Sequence, residues 1–363
     1  CATNPPLLGH EFSGIILEVG KKWQDQFKPG DRFGIQPALM IEGSFDSPGY
    51  SFPTVGGNAT YVRIPSVVME ANCLLKYTGD AFFMASLSEP MSCLIGACHA
   101  QYHIPAGTYN HIMGIVEGGA CASLASAGPM GLGLIDYLVH GPRRPKLLVV
   151  TDIDDARLAR AKSILTPEDA AANGVKLVYV NTKCPDAVEK LRAVNGGKGF
   201  NDVFVLAPVA ALIEQADAIL AHDGCLNFFA GPTDPSFSAK FNFYNVHYAA
   251  THVVGTSGGT TDDIREALQL MSEGKINPAM MITHIGGLTA AKDTTLRLPE
   301  IPGGKKLIYT HCDFPLTAIA DFAEKGKTDP VFAELADACA RNNGLWNLEA
   351  EKIVLEKMPK LAL

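Results

Sequence analysis

From Glu89-Pro90 to about Gly231, runs of strand length alternate with stretches of helical periodicity, the pattern of βαβ units that share a parallel sheet. Lys146 to Ile153 (KLLVVTDI) reads as a strand buried on both faces, and Asp154 to Ile164 follows as a helix with Leu158, Ala161 and Ile164 on one side. Val175 to Asn181 repeats the strand signal, and Pro185 suits the first turn of the next helix, where its missing N–H costs nothing. Asp202 to Ala207, a helix over Val209 to His222, and Cys225 to Ala230 complete the alternation. Six strands in a doubly wound sheet fit this span.

Composition narrows what such a fold can serve. The 363 residues are 47% apolar and 19% charged, which excludes collagenous and disordered chains and leaves enough material for two domains. Thirty Lys and Arg against 38 Asp and Glu give a net charge of −8, with no long basic run, so nucleic acid and anionic membranes are not expected as partners. Nine cysteines, odd in number and scattered, read as reduced thiols. No signal-peptide pattern or membrane-length apolar run occurs, and a cytoplasmic location is expected. The chain starts at Cys1 rather than methionine, so its natural N-terminus is expected to be missing.

The flanking regions read differently. Residues 1–100 carry frequent Gly and Pro and short β-rich runs, Gly14 to Val19 and Ala59 to Ile64, with a turn signal at Pro29-Gly30-Asp31. They are expected to form an irregular, mostly β domain, followed by a nucleotide-binding domain over 101–254 and a return to the first domain over 255–363. In that return, Thr261-Asp262-Asp263 is positioned to cap a helix over Ile264 to Glu273 that Gly274 ends. The tail from Asp329 reads as one or two helices with a polar break near Asn342 to Gly344.

Two constellations have chemical potential. Ser126-Ala-Gly128-Pro129-Met130-Gly131-Leu-Gly133 lies between a small-residue run and an apolar helix, where glycines let backbone approach a pyrophosphate and the helix start supplies N–H groups. A tight turn explains the motif alone equally well. Asp152, 21 residues after Gly131 at the end of the next strand, adds the acid that holds an adenosine ribose, although a helix N-cap at Asp152 or Asp154 also fits. Its charge disfavours the 2′-phosphate of NADP, with Arg157 and Arg160 offsetting part of that, so NAD(H) is favoured over NADP(H). The second constellation is His10-Glu11 with Glu89, donors suited to a catalytic zinc with an open position. A surface turn at Gly9-His10-Glu11 and a helix N-terminus at Glu89-Pro90 are the plain alternatives. His99 and His103 stand four apart, as metal-binding pairs on helices do, but core packing accounts for them better. Gly255-Thr256-Ser257-Gly258-Gly259 has the composition of a ribose cradle or of a glycine-rich turn.

Taken in order, GHEFSG at 9–14, KPGDRF at 28–33, SEP at 88–90, SAGPMGLG at 126–133, TDID at 151–154, GTSGG at 255–259, ITH at 282–284 and GGKKLI at 303–308 resemble the zinc-dependent medium-chain dehydrogenases/reductases, the superfamily of alcohol and sorbitol dehydrogenases. The resemblance covers most of residues 5–310. Glu89 in its Glu-Pro pair is similar to the polyol branch, and HEFSGIILEVGKKW with GPMGLG is most similar to the L-sorbose 1-phosphate reductase-like proteins.

That resemblance implies an α/β chain with a GroES-like, mostly β catalytic domain and a Rossmann domain. It implies one catalytic Zn2+ held by His10 and Glu89 with Glu11 beside it, and no structural zinc, since only Cys73 occurs between Asp31 and Cys93. Gly128, Pro129, Met130 and Gly131 would cover the pyrophosphate, Asp152 and Arg157 the adenosine ribose, and Ala207, Phe229, Ala230 and Gly255 to Gly258 the ribose and nicotinamide. The implied reaction is hydride transfer between NAD(P)H and a polyol or ketose, or its phosphate, in a homodimer or homotetramer. The family's first zinc ligand is a cysteine well upstream of Gly-His-Glu. Cys1 is only nine residues before His10, so that ligand is expected to lie outside this chain. Two rival readings share the fold: a zinc-free quinone or enoyl reductase, and a non-catalytic dinucleotide-binding module with a decayed metal site.

Overall fold

The computed structural model describes residues 5–362, and Cys1 lies outside them. The chain divides into two compact units, one of Cys1–Ser92 with Thr260–Leu363 and the other of Cys93–Gly259.

The first unit opens with three short antiparallel strands, β1 (Ser13–Ile15), β2 (Arg32–Ile35) and β3 (Leu74–Tyr77), in the order β1-β2-β3. Gly30, at φ +91°, makes the turn before β2, a conformation that side chains avoid. Behind the strands, Phe12, Phe33, Ile35, Val55 and Val68 share a core. Ala59 to Ile64 is not the expected strand: it bends as far as Tyr61 and is irregular beyond, tied by the Arg63 N–H to the Thr54 carbonyl. A one-turn helix, α1 (Phe82–Ser86), then leads into α2 (Ser88–Ala100).

The second unit carries six parallel strands: β4 (Ala120–Leu124), β5 (Leu147–Asp152), β6 (Lys176–Asn181), β7 (Phe200–Val205), β8 (Leu220–Phe228) and β9 (His252–Gly255). Their order, β9-β8-β7-β4-β5-β6, is that of a Rossmann sheet. Helix α3 (Pro129–His140) follows β4 and α4 (Asp155–Ile164) follows β5. All six residues of β5 are buried, as its unbroken apolar run requires of a strand covered on both faces. Truncating one such side chain, Leu148→Ala for example, removes close-packed atoms at a cost of about 2–5 kcal/mol.

Two readings of this unit are corrected. The expected helix over Val209 to His222 stops at Ala218, and β8 begins at Leu220, because the strand passes through a register irregularity between Leu220 and Cys225 with Asp223 at φ +57°. That irregularity hides the strand's period. His99 and His103 do not share a helix face: α2 ends at Ala100, and His103 stands on a short strand, held between Asp202 and Asp223.

The chain then returns to the first unit. Helix α5 (Thr261–Ser272) starts one turn earlier than expected, since Thr260 and Asp263 form a reciprocal capping box, and Gly274 follows at φ +68°. A second sheet sets β10 (Ile282–Gly287) between parallel β11 (Lys305–Tyr309) and antiparallel β12 (Thr317–Ala318). The tail supplies two helices, α6 (Pro330–Ala340) and α7 (Leu348–Lys357), packed in a core around Phe322, Leu335 and Trp346. No helix among the described residues is long and apolar enough to cross a membrane.

Candidate metal centre and dinucleotide cradle

His10, Glu11 and Glu89 converge although 78 residues separate the last two. One ligand atom from each lies within 4.8 Å of the other two. Nε2 of His10 is 3.8 Å from Glu11 Oε1 and 3.9 Å from Glu89 Oε2. Ligands about 2.1 Å from a tetrahedral zinc stand roughly 3.4 Å apart, so each carboxylate needs to close on His10 by about half an ångström, and the two carboxylates, within 4.8 Å of each other, by no more than about 1.4 Å. The donor set, one imidazole and two carboxylates, fits zinc.

Local structure explains how this arrangement is reached. Gly9, at φ +98°, accepts the Gly57 N–H on its carbonyl at 2.6 Å and turns the chain into His10. Gly49 must also be glycine: a Cβ there would lie 2.3 Å from the Gly9 carbonyl oxygen and 2.6 Å from the His10 Cα. That close approach brings Tyr50 onto His10, with ring centroids 4.5 Å apart. Glu89 stands in the first turn of α2, where the partial positive charge of the helix start favours a carboxylate, and it is buried. The helix-terminus reading of Glu89 and the metal reading therefore describe one position. Burial, with Lys305 adding to it against the opposing charge of Glu11, lowers the His10 pKa and keeps the imidazole in the neutral form that binds metal.

Two groups at this cluster were not singled out by sequence reasoning. Lys305, on β11, forms an ion pair and hydrogen bond with Glu11. It belongs to the Gly303-Gly304-Lys305-Lys306 run already noted, but 294 positions separate it from Glu11 and nothing in the sequence pairs the two. Tyr50, whose hydroxyl lies 3.1 Å from His10 Nε2, sits in a Ser-, Gly- and Pro-rich loop with no periodicity to mark it.

In the second unit the remaining candidates collect at the carboxyl ends of parallel strands, where open α/β sheets bind ligands. Gly128 is the N-cap of α3 and Pro129 its first residue, with Met130 and Gly131 in the same turn. A Cβ on Gly131 would lie 1.9 Å from the Ser126 carbonyl oxygen, so glycine is what allows the helix this close to the turn after β4. Gly128 faces open space. Asp152 ends β5 with its carboxylate buried, and Oδ1 accepts the N–H groups of Ile153 and Asp154 at 2.8 and 3.1 Å. Arg157 reaches within 3.9 Å of Asp152 Oδ2. The N-cap of α4 is Asp154, which leaves Asp152 on the strand. Ala207 follows β7, Phe229 and Ala230 follow β8, and Gly255, Thr256, Ser257 and Gly258 follow the line of β9. Thr256 Oγ1 is buried with no partner, a polar atom that a bound dinucleotide could satisfy. Open backbone at Gly128 and this orphan hydroxyl fit a nicotinamide dinucleotide.

Comparison with known proteins agrees with both halves. Residues 2–72 match the alcohol dehydrogenase GroES-like domain, and residues 147–273 match the zinc-binding dehydrogenase family. The chain is 54% identical over 353 residues to mannitol-1-phosphate 5-dehydrogenase of Aliivibrio fischeri, covering 97% of this chain and 83% of that one. It is 50% identical over 354 residues to L-sorbose 1-phosphate reductase of Klebsiella pneumoniae, covering 98% and 83%. The fold is shared with 2R,3R-butanediol dehydrogenase from Bacillus subtilis, at a TM-score of 0.65 and 20% identity over 85% of this chain and 82% of that one. The chain therefore belongs to the zinc-type medium-chain dehydrogenases, in the group related to L-sorbose 1-phosphate reductase, and is an oxidoreductase of the polyol dehydrogenase type.

Proposed function

We propose that the protein interconverts a phosphorylated ketose and its polyol, with NAD(H) as the preferred hydride carrier and one zinc ion held by His10 and Glu89, with Glu11 beside it. The observation that carries this reading is the convergence of His10, Glu11 and Glu89 within 4.8 Å in a chain about half identical to two sugar-phosphate oxidoreductases. When bound, zinc supplies a Lewis acid for the substrate's carbonyl or hydroxyl oxygen, and the nicotinamide supplies or takes the hydride.

The chain's own residues have defined parts. Neutral His10 offers Nε2 and Glu89 offers Oε2 as donors. Lys305 holds the Glu11 carboxylate in place and puts a positive charge at the same cluster, which suits an anionic substrate. At the dinucleotide, Gly128, Pro129, Met130 and Gly131 cover the pyrophosphate at the start of α3, with open space at Gly128, and Asp152 accepts from the adenosine ribose hydroxyls. Ala207, Phe229, Ala230 and Gly255 to Gly258 line the nicotinamide half. A homodimer or homotetramer in the cytoplasm completes the reading. The edge strand β9, with exposed Val253 on it, offers one place for sheet pairing between copies.

Steady-state rates on L-sorbose and L-sorbose 1-phosphate, each with NADH and NADPH, test the proposal. It expects a higher kcat/KM for the phosphorylated ketose and for NADH. Equal values for the two sugars remove the phosphate from the reading, and no turnover of any ketose or polyol overturns it.

A further inference from the structure

Glu351, on α7 near the C-terminus, is fully buried, and a buried carboxylate is tolerated only when its oxygens are matched by donors. Here three are present. The Phe82 N–H reaches Oε2 at 2.7 Å, and the Phe83 N–H and the Tyr309 hydroxyl reach Oε1 at 2.9 Å each. The Tyr309 oxygen accepts in turn from Trp346 Nε1 at 2.9 Å. Phe82 and Phe83 open α1, and its N-cap, Ala81, has no side chain that could satisfy their N–H groups. A residue 269 positions away performs that task.

The partners of this carboxylate are also the segments that bear the metal cluster. Phe82 accepts the Ser13 hydroxyl on its carbonyl at 2.8 Å, and Ser13 is two residues beyond Glu11. Helix α1 continues through Leu87, and the Ser88 hydroxyl returns to the Ala85 carbonyl at 2.6 Å, immediately before Glu89. Tyr309 closes β11, the strand that begins with Lys305, the partner of Glu11. One carboxylate thus joins the chain segments of Glu11, Glu89 and Lys305.

We infer that Glu351 is a positioning residue for the metal cluster: acting through Phe82, Phe83 and Tyr309, it sets the spacing of Glu11, Glu89 and Lys305 and thereby the affinity of the site for zinc. The inference rests on the proposed zinc site. It gives the C-terminal helix pair a part in the chemistry, since Trp346 and Glu351 come from the break before α7 and from α7 itself.

The test is zinc affinity of the full chain, by competition with a chelator, for wild type, Glu351→Gln, Tyr309→Phe and a core control, Leu335→Ala, which is buried in the same cluster but outside the hydrogen-bond network. NADH binding, monitored in parallel, reports on folding of the other unit. Glu351→Gln and Tyr309→Phe are expected to weaken zinc binding about tenfold, as loss of outer partners of metal ligands does, with NADH affinity unchanged. Leu335→Ala should lower Tm while leaving zinc affinity within about twofold. If Glu351→Gln does not fold, Tyr309→Phe decides, because it keeps the ring and removes only the hydroxyl that donates to Glu351 and accepts from Trp346. A loss below about threefold in the network variants, or an equal loss in Leu335→Ala, overturns the positioning role. A wild-type chain that binds no zinc overturns the metal site and this role together.

Discussion

The Tyr50 hydroxyl lies 3.1 Å from Nε2 of His10, the same nitrogen that faces Glu11 and Glu89. One ring nitrogen cannot serve a hydroxyl and a metal together, so metal loading must displace this hydrogen bond. Tyr50→Phe keeps the stacked ring and removes the competitor. A net hydrogen bond is worth about 1 kcal/mol, so the variant should bind zinc up to about fivefold more tightly. Weaker binding in a chelator competition would show that the hydroxyl supports the metal instead.

Asp152 decides the second prediction. Its carboxylate is buried and fixed by two backbone N–H groups, so it cannot turn away from a 2′-phosphate, and a like charge about 4 Å away costs up to ~4 kcal/mol at an effective dielectric near 20. Asp152→Ala, with Arg157 left in place, should raise kcat/KM for NADPH relative to NADH by at least about tenfold. An unchanged ratio contradicts the assignment of Asp152 to the ribose.

Stability of the dinucleotide unit should depend on pH through His140. This residue ends α3 between Asp136, at 2.7 Å, and Asp169, at 2.8 Å. The hydrogen bond to Asp136 raises its pKa above 6.5, with burial opposing and Asp169 adding to the rise. A raised folded-state pKa contributes stability that is fully present below the unfolded value and is lost as pH rises through the folded one. In urea melts, the difference between wild type and His140→Gln should therefore be largest at about pH 6 and shrink toward pH 9. A difference that is flat with pH would refute the linkage.

Much of this was legible in the sequence because the signals are local and periodic. The six parallel strands follow from apolar runs such as Leu147–Asp152, and the α3 start follows from Gly128-Pro129. His10, Glu11 and Glu89 carried the chemistry of their types, but their convergence depends on Gly9 and Gly49, whose backbone geometry no spacing rule contains. Tyr50, Lys305 and Glu351 were missed for the same reason: each acts across 40 to 294 positions of chain, through contacts made only after folding. The early start of β8 was hidden because Asp223 leaves the extended conformation and breaks the alternation.

The proposed zinc site of His10, Glu11 and Glu89 is open to direct measurement. Metal analysis after zinc loading and removal of free metal tests it, comparing wild type with His10→Ala and Glu89→Ala. About one zinc per chain is expected in wild type and a small fraction of that in each variant. Wild-type protein without zinc, or zinc retained in full by both variants, would contradict it.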